Sequence, residues 1–341
     1  MKKRIALLSV CLIAVMMMSA CGSGNPTAVT DRMDVQTLWR EVTGQDGYPQ
    51  ACLIVKDELA RESGDFVAAF VAAVEESDGW AQLNPAEAVA AVKANMQQGV
   101  ESSMTAVSAD VVNRCHIKTI RAAEAKLSVE TYLECFIDME KETEQNLIGG
   151  KLPDDGFYLT PSGGANPSRS VKVYMPDGAT ALALAGAMAN HKTVDGVNIE
   201  YTVVPSNSIG SSVTSSAADI AVVPSNLAAK LYNANGKYKM AATLTHGNLY
   251  IVGGDMEGAQ TLAGNVVGVM GQGNVPDLVF RYILKKKNIE YVVSDVAVEG
   301  KVAIKYYADG GSVARALKAG QIGYGLLAEP AASSVYDKIH E

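Results

Sequence analysis

Four short stretches collect the residue types that hold small ligands. In MPDGATALAL, VVPSNLAAKL, VMGQGNVPDLVF and YADGGSVARAL (175–184, 222–231, 269–280 and 307–317), Gly, Ser, Asn, Gln or Asp stands where an apolar run gives way to a helical pattern. At such a junction the first N–H groups of the helix lack intrahelical partners, and glycine lets a ligand approach the backbone. Open α/β sheets bind ligands here, outside the carboxyl ends of their strands. One such loop would be a capped helix and no more. Four of them, two on either side of a candidate lobe boundary near Gly253, predict a cleft built by two lobes.

The chemistry of that cleft reads as hydrogen bonding, not turnover. The chain has no G-x-S-x-G elbow and no H-E-x-x-H, and its four histidines, His116, His191, His246 and His340, have no spacing suited to a metal or a triad. Only His246 lies in a promising loop, and it reads as a hydrogen-bonding residue near a hinge. The expectation is a non-enzyme without metal or cofactor, with an exported enzyme as the alternative. Cys11 lies in the leader and Cys21 at its end, leaving Cys52, Cys115 and Cys135, an odd number without the close pairs of a zinc site. They allow one disulfide or none.

The elements that must position these loops follow from periodicity. From Val171 onward, VKVYM, IEYTVV, DIAVV, NVVGVM, KVAIKYY and IGYGLL are rich in β-branched or aromatic residues and bounded by turn formers, which predicts strands. Between them ATALALAGAMAN, NLAAKLYN, VPDLVFRYILKKK and SVARALKAG have helical spacing. The alternation predicts an α/β fold with largely parallel sheets. Residues 50–147 differ: after one strand, ACLIV, the pattern is helical. Phe66, Val67, Phe70, Val71 and Val74 form one apolar face; Val129, Tyr132, Leu133, Phe136 and Ile137 form another. Both read as core, not as a ligand box.

The 341 residues, 48% hydrophobic and 19% charged, suffice for two lobes. Lys2, Lys3 and Arg4 precede an apolar or small run from Ile5 to Met18, then Ser19, Ala20 and Cys21, the pattern of a secretory signal at 1–20 with small residues before a cleavage site. The run is short for a spanning helix, which needs roughly 20 apolar residues, though an uncleaved anchor is the alternative. Polar residues 21–29 then read as a tether. Without the three basic leader residues, 26 basic groups face 37 acidic ones, a formal net charge of −11. No basic stripe exists to displace counterions from phosphates, so nucleic acid is not an expected partner. The run Lys285–Lys287 closes a helix, where positive charge suits the dipole.

MSAC resembles the lipobox of bacterial lipoproteins, with Met18 in place of the usual leucine, which implies acylation of Cys21. The stretches VKVYMPDGATALALA, DIAVVPSNLAAKLYN, THGNLYIVG, GNVVGVMGQGNVPDLVFRYIL and GLLAEPAAS, in this order, resemble the first two thirds of substrate-binding proteins of ABC importers of the nitrate, sulfonate, taurine and thiamine-precursor type. The likeness covers nearly all of residues 171–334. It implies a periplasmic-binding-protein type II fold: two lobes, each a mixed, mostly parallel sheet flanked by helices, joined by a two-strand hinge. In that family the chain continues past the EP motif along a crossover strand and ends in helices. Here DVQTLWREVTGQDGYPQACLIVKDELA resembles that return crossover, and the helices up to IGGKLPDDGFYL resemble the family's tail.

The resemblance therefore implies a circular permutation, with a fusion of unrelated fragments or a truncated tandem pair as alternatives. Termini that lie close together make permutation tolerable. Residues 160–170, rich in Pro, Gly, Ser and Asn, form the expected linker, able to span at most about 36 to 40 Å. Lobe one becomes 48–252, lobe two 253–341 plus 30–47, and the hinge strands lie near Tyr48–Ala51 and Thr245–Tyr250. The implied pocket is Asp177, Gly178, Ser225, Asn226, His246, Gly247 and Asn248 from lobe one, closed by Gln272, Gly273, Asn274, Asp309 and Gly310, with Glu329 facing the cleft or holding the hinge. The implied role is a monomeric, lipid-anchored protein on the extracytoplasmic face of the cell membrane. Its partners would be a small polar ligand, an ABC permease and its ATPase. A lipoprotein that signals to a membrane sensor is the further alternative.

Overall fold

The fold is that of a computed structural model describing residues 29–100, 102, 104 and 107–340, with side chains described as far as Tyr336. The expected leader, the lipidated Cys21 and the tether up to residue 28 lie outside the described residues. Thirteen strands run along the chain: β1 (Asp31–Asp34), β2 (Ala51–Lys56), β3 (Ile117–Arg121), β4 (Val171–Pro176), β5 (Thr193–Val194), β6 (Val197–Val204), β7 (Ile220–Pro224), β8 (Tyr238–Thr245), β9 (Leu249–Gly253), β10 (Val266–Met270), β11 (Tyr291–Val293), β12 (Val302–Tyr307) and β13 (Tyr324–Ala328). All seven strands predicted from apolar runs are present.

They form two mixed sheets flanked by helices, an α/β architecture of two lobes. The seven-stranded sheet has the order β3-β8-β2-β7-β4-β6-β5, the six-stranded sheet β1-β9-β13-β10-β12-β11. In the first, β4 is parallel to β6 and β7, while β2 lies antiparallel between β7 and β8. In the second, β10 is parallel to β12 and β13, while β9 lies antiparallel between β13 and β1. In each sheet the strand that has just arrived from the other sheet lies antiparallel to both of its neighbours. Because β9 pairs into the six-stranded sheet, that crossing falls at His246–Asn248, ahead of the expected end of lobe one at Val252.

Burial explains the local structure. Ala51 to Val55 of β2 are buried throughout, as befits a strand inside a covered sheet. Phe66, Val67, Phe70, Val71 and Val74 are buried on the Gly64–Glu76 helix and belong to the core of the seven-stranded lobe. The long Ala122–Thr143 helix buries Val129, Tyr132, Leu133 and Phe136 in a cluster that also holds Trp39 of the Val35–Thr43 helix. Trp39 lies 5.8 Å from the Tyr132 ring and 5.4 Å from Tyr282 of the Val275–Lys286 helix, and Tyr48 stacks on Tyr132 at 5.7 Å. Aromatic packing at these separations adds to area burial. It joins the lobes on the side where the chain crosses.

Residues 160–170 are not a free span. Gly163 accepts the Asp65 N–H at 2.9 Å, Glu62 accepts that of Ala165 at 3.0 Å, and Asp65 Oδ1 accepts the Gly163 N–H at 2.6 Å. Contact is so close that a Cβ on Gly164 would stand 2.1 Å from the Glu62 carbonyl oxygen. Arg169 forks onto Asp219 at 2.7 and 2.9 Å and ties the segment to the start of β7. Cys52, Cys115 and Cys135 are all free. No helix among the described residues is long and apolar enough to cross a membrane.

Candidate functional site

A cleft of ≈ 470 Å³ opens where loops from both sheets meet. Asp177 and Gly178 follow β4, Asn226 follows β7, and Gly273 and Asn274 follow β10 from the opposite lobe; all five line the cleft, as do Asn248 at the crossing and Glu329 after β13. Seven of the thirteen residues expected there are thus brought together around one chamber.

The other six do not line it. Ser225 turns inward, and its hydroxyl donates to the Pro49 carbonyl at 2.6 Å, fastening the Ser225–Asn235 helix to the segment before β2. The His246 Nε2–H donates to Lys118 O at 3.0 Å, and burial holds the imidazole below its usual pKa. Its own carbonyl accepts the Gln36 Nε2–H at 2.6 Å. Gly247 has φ +84 and faces the Tyr48 ring, where a Cβ would lie 2.8 Å away, so the crossing needs glycine for both shape and conformation. Gln272 is exposed. Asp309 caps the Gly310–Lys318 helix by accepting the Ser312 N–H at 2.7 Å, and that bond holds its carboxyl below the usual range. Gly310 is the first residue of the same helix.

Glu329 does both things expected of it. It borders the cleft, yet Oε1 accepts from Arg114 Nε at 2.9 Å and Ser333 Oγ at 2.7 Å, and Oε2 accepts the Ser333 N–H at 3.0 Å. Arg114 precedes β3 and Glu329 follows β13, so this pair, with the carboxylate buried and the guanidinium half-buried, fastens one lobe to the other.

Sequence reasoning missed several lining residues: Gln50, Asn146, Thr180, Lys230 and Thr245 among them. Gln50 lies within the expected hinge strand near Tyr48–Ala51, a polar residue beside the crossing as Asn248 is. Its backbone oxygen accepts the Ser225 N–H at 3.1 Å while its Oε1 accepts the Asn248 N–H at 3.1 Å, so it braces two sides of the chamber. Asn146 carries no such signal. It is delivered by Glu140, a buried carboxylate that gathers the N–H groups of Leu147, Ile148 and Gly149 on Oε1 at 2.5, 2.7 and 3.2 Å and that of Gly150 on Oε2 at 2.9 Å. Lys230 Nζ then donates to Asn146 O at 2.9 Å.

No family model matches the chain, and no curated protein matches it. Among solved structures it is similar to the crystal structure of an ABC transporter from Parabacteroides distasonis, with 23% identity and a TM-score of 0.39. The likeness covers 50% of this chain and 56% of that one, so this chain spans about half the length of that protein.

Proposed function

We propose that this chain is an extracytoplasmic solute-binding protein, lipid-anchored through Cys21, that captures a small polar molecule between its lobes and delivers it to an ABC permease and its ATPase. The cleft carries this reading: polar groups from both sheets border one chamber, and its ≈ 470 Å³ suit a single small molecule. A ligand that touches both lobes binds the closed form better and shifts the population toward it. The ligand contacts proposed are Asp177, Gly178, Asn226, Asn248, Gly273 and Asn274, while Ser225, His246 and Gly247 hold the crossing in shape. The reading includes a circularly permuted member of the nitrate, sulfonate, taurine and thiamine-precursor type. In support, β2 stands in its sheet as β9 stands in the other, and Arg32 of β1 reaches Ser333 Oγ at 3.2 Å on the Ala331–His340 helix, where the family's order would join them.

The test is to release whatever small molecule co-purifies, identify it by mass spectrometry, and return it to the stripped protein during small-angle scattering. Compaction without consumption of the molecule is expected; its steady conversion to a product replaces this reading with that of an exported enzyme. Separately, Cys21→Ser should free the protein from membranes, and a variant that stays fully membrane-bound removes the lipid anchor from the proposal.

A further inference from the structure

Resting on the solute-binding reading of the cleft, we propose that Asn146 is a further contact for the bound molecule and that Glu140, which does not line the chamber, is the residue that positions it. Asn146 is exposed and borders the cleft beside the buried Leu147, on a stretch, residues 145–151, that belongs to no helix or strand. Glu140 stands in the last turn of the Ala122–Thr143 helix and is 9% exposed. Its carboxylate is spent on backbone. The N–H groups of Leu147, Ile148, Gly149 and Gly150, four in succession, converge on its two oxygens. Hydrogen bonds to an ionised acceptor are roughly twice as strong as neutral ones. A buried charge also needs such bonds to be tolerated, so the helix end and the turn hold each other in place.

The other side of the turn is held as well. Lys230 and Asn233 lie one turn apart on the same face of the Ser225–Asn235 helix. Lys230 Nζ donates to Asn146 O at 2.9 Å, and Asn233 Nδ2 donates to Ile148 O at 2.7 Å and Lys151 O at 2.8 Å. Amides thus face one helix and carbonyls the other, which fixes a stretch that has no regular structure of its own. The Asn146 side chain is oriented too, because its Oδ1 accepts the Gly149 N–H at 3.0 Å. This turn lies where the lobes meet. A Cβ on Gly273 would come 3.5 Å from Gln145 Oε1, and Glu142 pairs with Lys285 of the Val275–Lys286 helix. A wall held in this way before binding spares the complex the cost of ordering it.

Hydrogen exchange and a double-mutant cycle test it. In the full-length protein, Glu140→Gln keeps the size of the side chain but loses its charge and one acceptor. Without any added molecule, exchange should speed about tenfold at the amides of 147–150 and stay unchanged in β10 and β12. The binding probe is the small molecule released from the purified protein. Its affinity should fall about tenfold in Glu140→Gln and about tenfold in Asn146→Ala, and no further when the two are combined, because the first change already misplaces the contact that the second deletes. A Glu140 that only stabilised the fold would give losses that add to about a hundredfold, or no loss at all. Asn233→Ala loosens the turn from its other side and should show the same exchange and the same non-additive loss, which decides the matter if Glu140→Gln does not fold. Unchanged exchange at 147–150, additive losses, or an affinity within about twofold of the parent in either single variant overturns the inference and leaves the solute-binding reading standing. If nothing released from the purified protein rebinds, both fall.

Discussion

In the seven-stranded sheet the run β6-β4-β7 is followed by the incoming β2 and then β8; in the six-stranded sheet β12-β10-β13 is followed by the incoming β9 and then β1. The frames correspond strand for strand, but the loops they present to the cleft differ. On the seven-stranded side, Asn226, with Asn248 at the crossing, ends in a buried oxygen that nothing in the protein satisfies. On the six-stranded side two acidic loop residues are satisfied within the protein, while Tyr307 Oη at the end of β12 is likewise buried without a partner. Asp309 caps its helix, and Asp277 accepts from Gly273 N, from Arg281 Nε and Nη2 at 2.8 Å each, and from Tyr306 Oη at 2.7 Å. Unsatisfied buried groups are rare unless something else completes them. The two sides therefore differ in how their loop residues are satisfied, which a shared strand order alone would not reveal.

The largest expected effect falls on the fastening between the lobes. Glu329 is fully buried and its Arg114 partner only 23% exposed. Arg114→Met strands the carboxylate with Ser333 and with Arg32 Nη1 at 3.9 Å, and removing one member of a buried pair costs about 3 kcal/mol. The midpoint of urea unfolding should fall accordingly. A loss below about 1 kcal/mol would mean that the lobes are held by the aromatic cluster at Trp39, Tyr48 and Tyr132 instead.

A smaller effect, confined to the seven-stranded lobe, separates the lobes by pH. Burial tends to raise the Asp219 pKa, but bonds from Arg169, the Lys172 N–H and Lys56 overcome this and hold it at about 2. A folded-state pKa below the unfolded one gives stability that is complete above about pH 4 and is lost as pH falls through 2. With Arg169 mostly solvent-screened, that stability is discounted to roughly 1 to 2 kcal/mol. Asp219→Asn should lose it at neutral pH and show a flatter decline between pH 4 and 2. An unchanged acid limb would show that residues 160–170 do not need Arg169 to stay docked.

How far the sequence revealed these features depended on what set each one. Strands β7 and β13 were legible because burial on both faces demands unbroken apolar runs such as IAVV and YGLL. Strand β8, YKMAATLT, escaped notice: its alanines and threonines carry no period, and it is a strand because β2 and β3 flank it. At strand–helix junctions residue type marked the right places without settling their use, since an oxygen that can cap a helix can equally meet a ligand. Asp309 caps; Asn226 faces the chamber; Ser225, one residue before it, turns inward. Asn146 was beyond reach because a carboxylate six residues earlier folds the turn that delivers it.

Asp309 makes a sharper probe of the comparison. Asp309→Ala removes a cap that costs about 1 kcal/mol when lost. Because this residue serves its own helix and not the chamber, the affinity for the molecule released from the purified protein should change by less than about twofold, a shift of about 0.4 kcal/mol. An affinity loss of about tenfold or more would place Asp309 in the chamber after all.

The smallest effect tests whether the correspondence of the frames reflects the family's chain order. A rearranged chain running from Val171 to Glu341, through a Gly/Ser linker, then from Thr30 to Leu159, opens the present connection at 160–170 and closes β1 onto the Ala331–His340 helix. The join is short: Arg32 sits 4.8 Å from the Tyr336 ring, and Val29 shares a core cluster with Ala332 and Val335. Exchanging one surface connection for another alters loop closure by only about 0.6 kcal/mol per doubling of length. The docked contacts of 160–170 add a second term, because opening the chain there frees Gly163 and Ala165 from the Gly64–Glu76 helix and its approach. Keeping residues 160–170 attached at either new end isolates closure from docking. With the segment retained, unfolding should stay cooperative and its midpoint nearly unchanged; without it, the loss should resemble the docking contribution alone. Failure to fold in both forms, with a linker long enough to reach, would mean that the present order of the chain, and not the arrangement of its strands, is what specifies the fold.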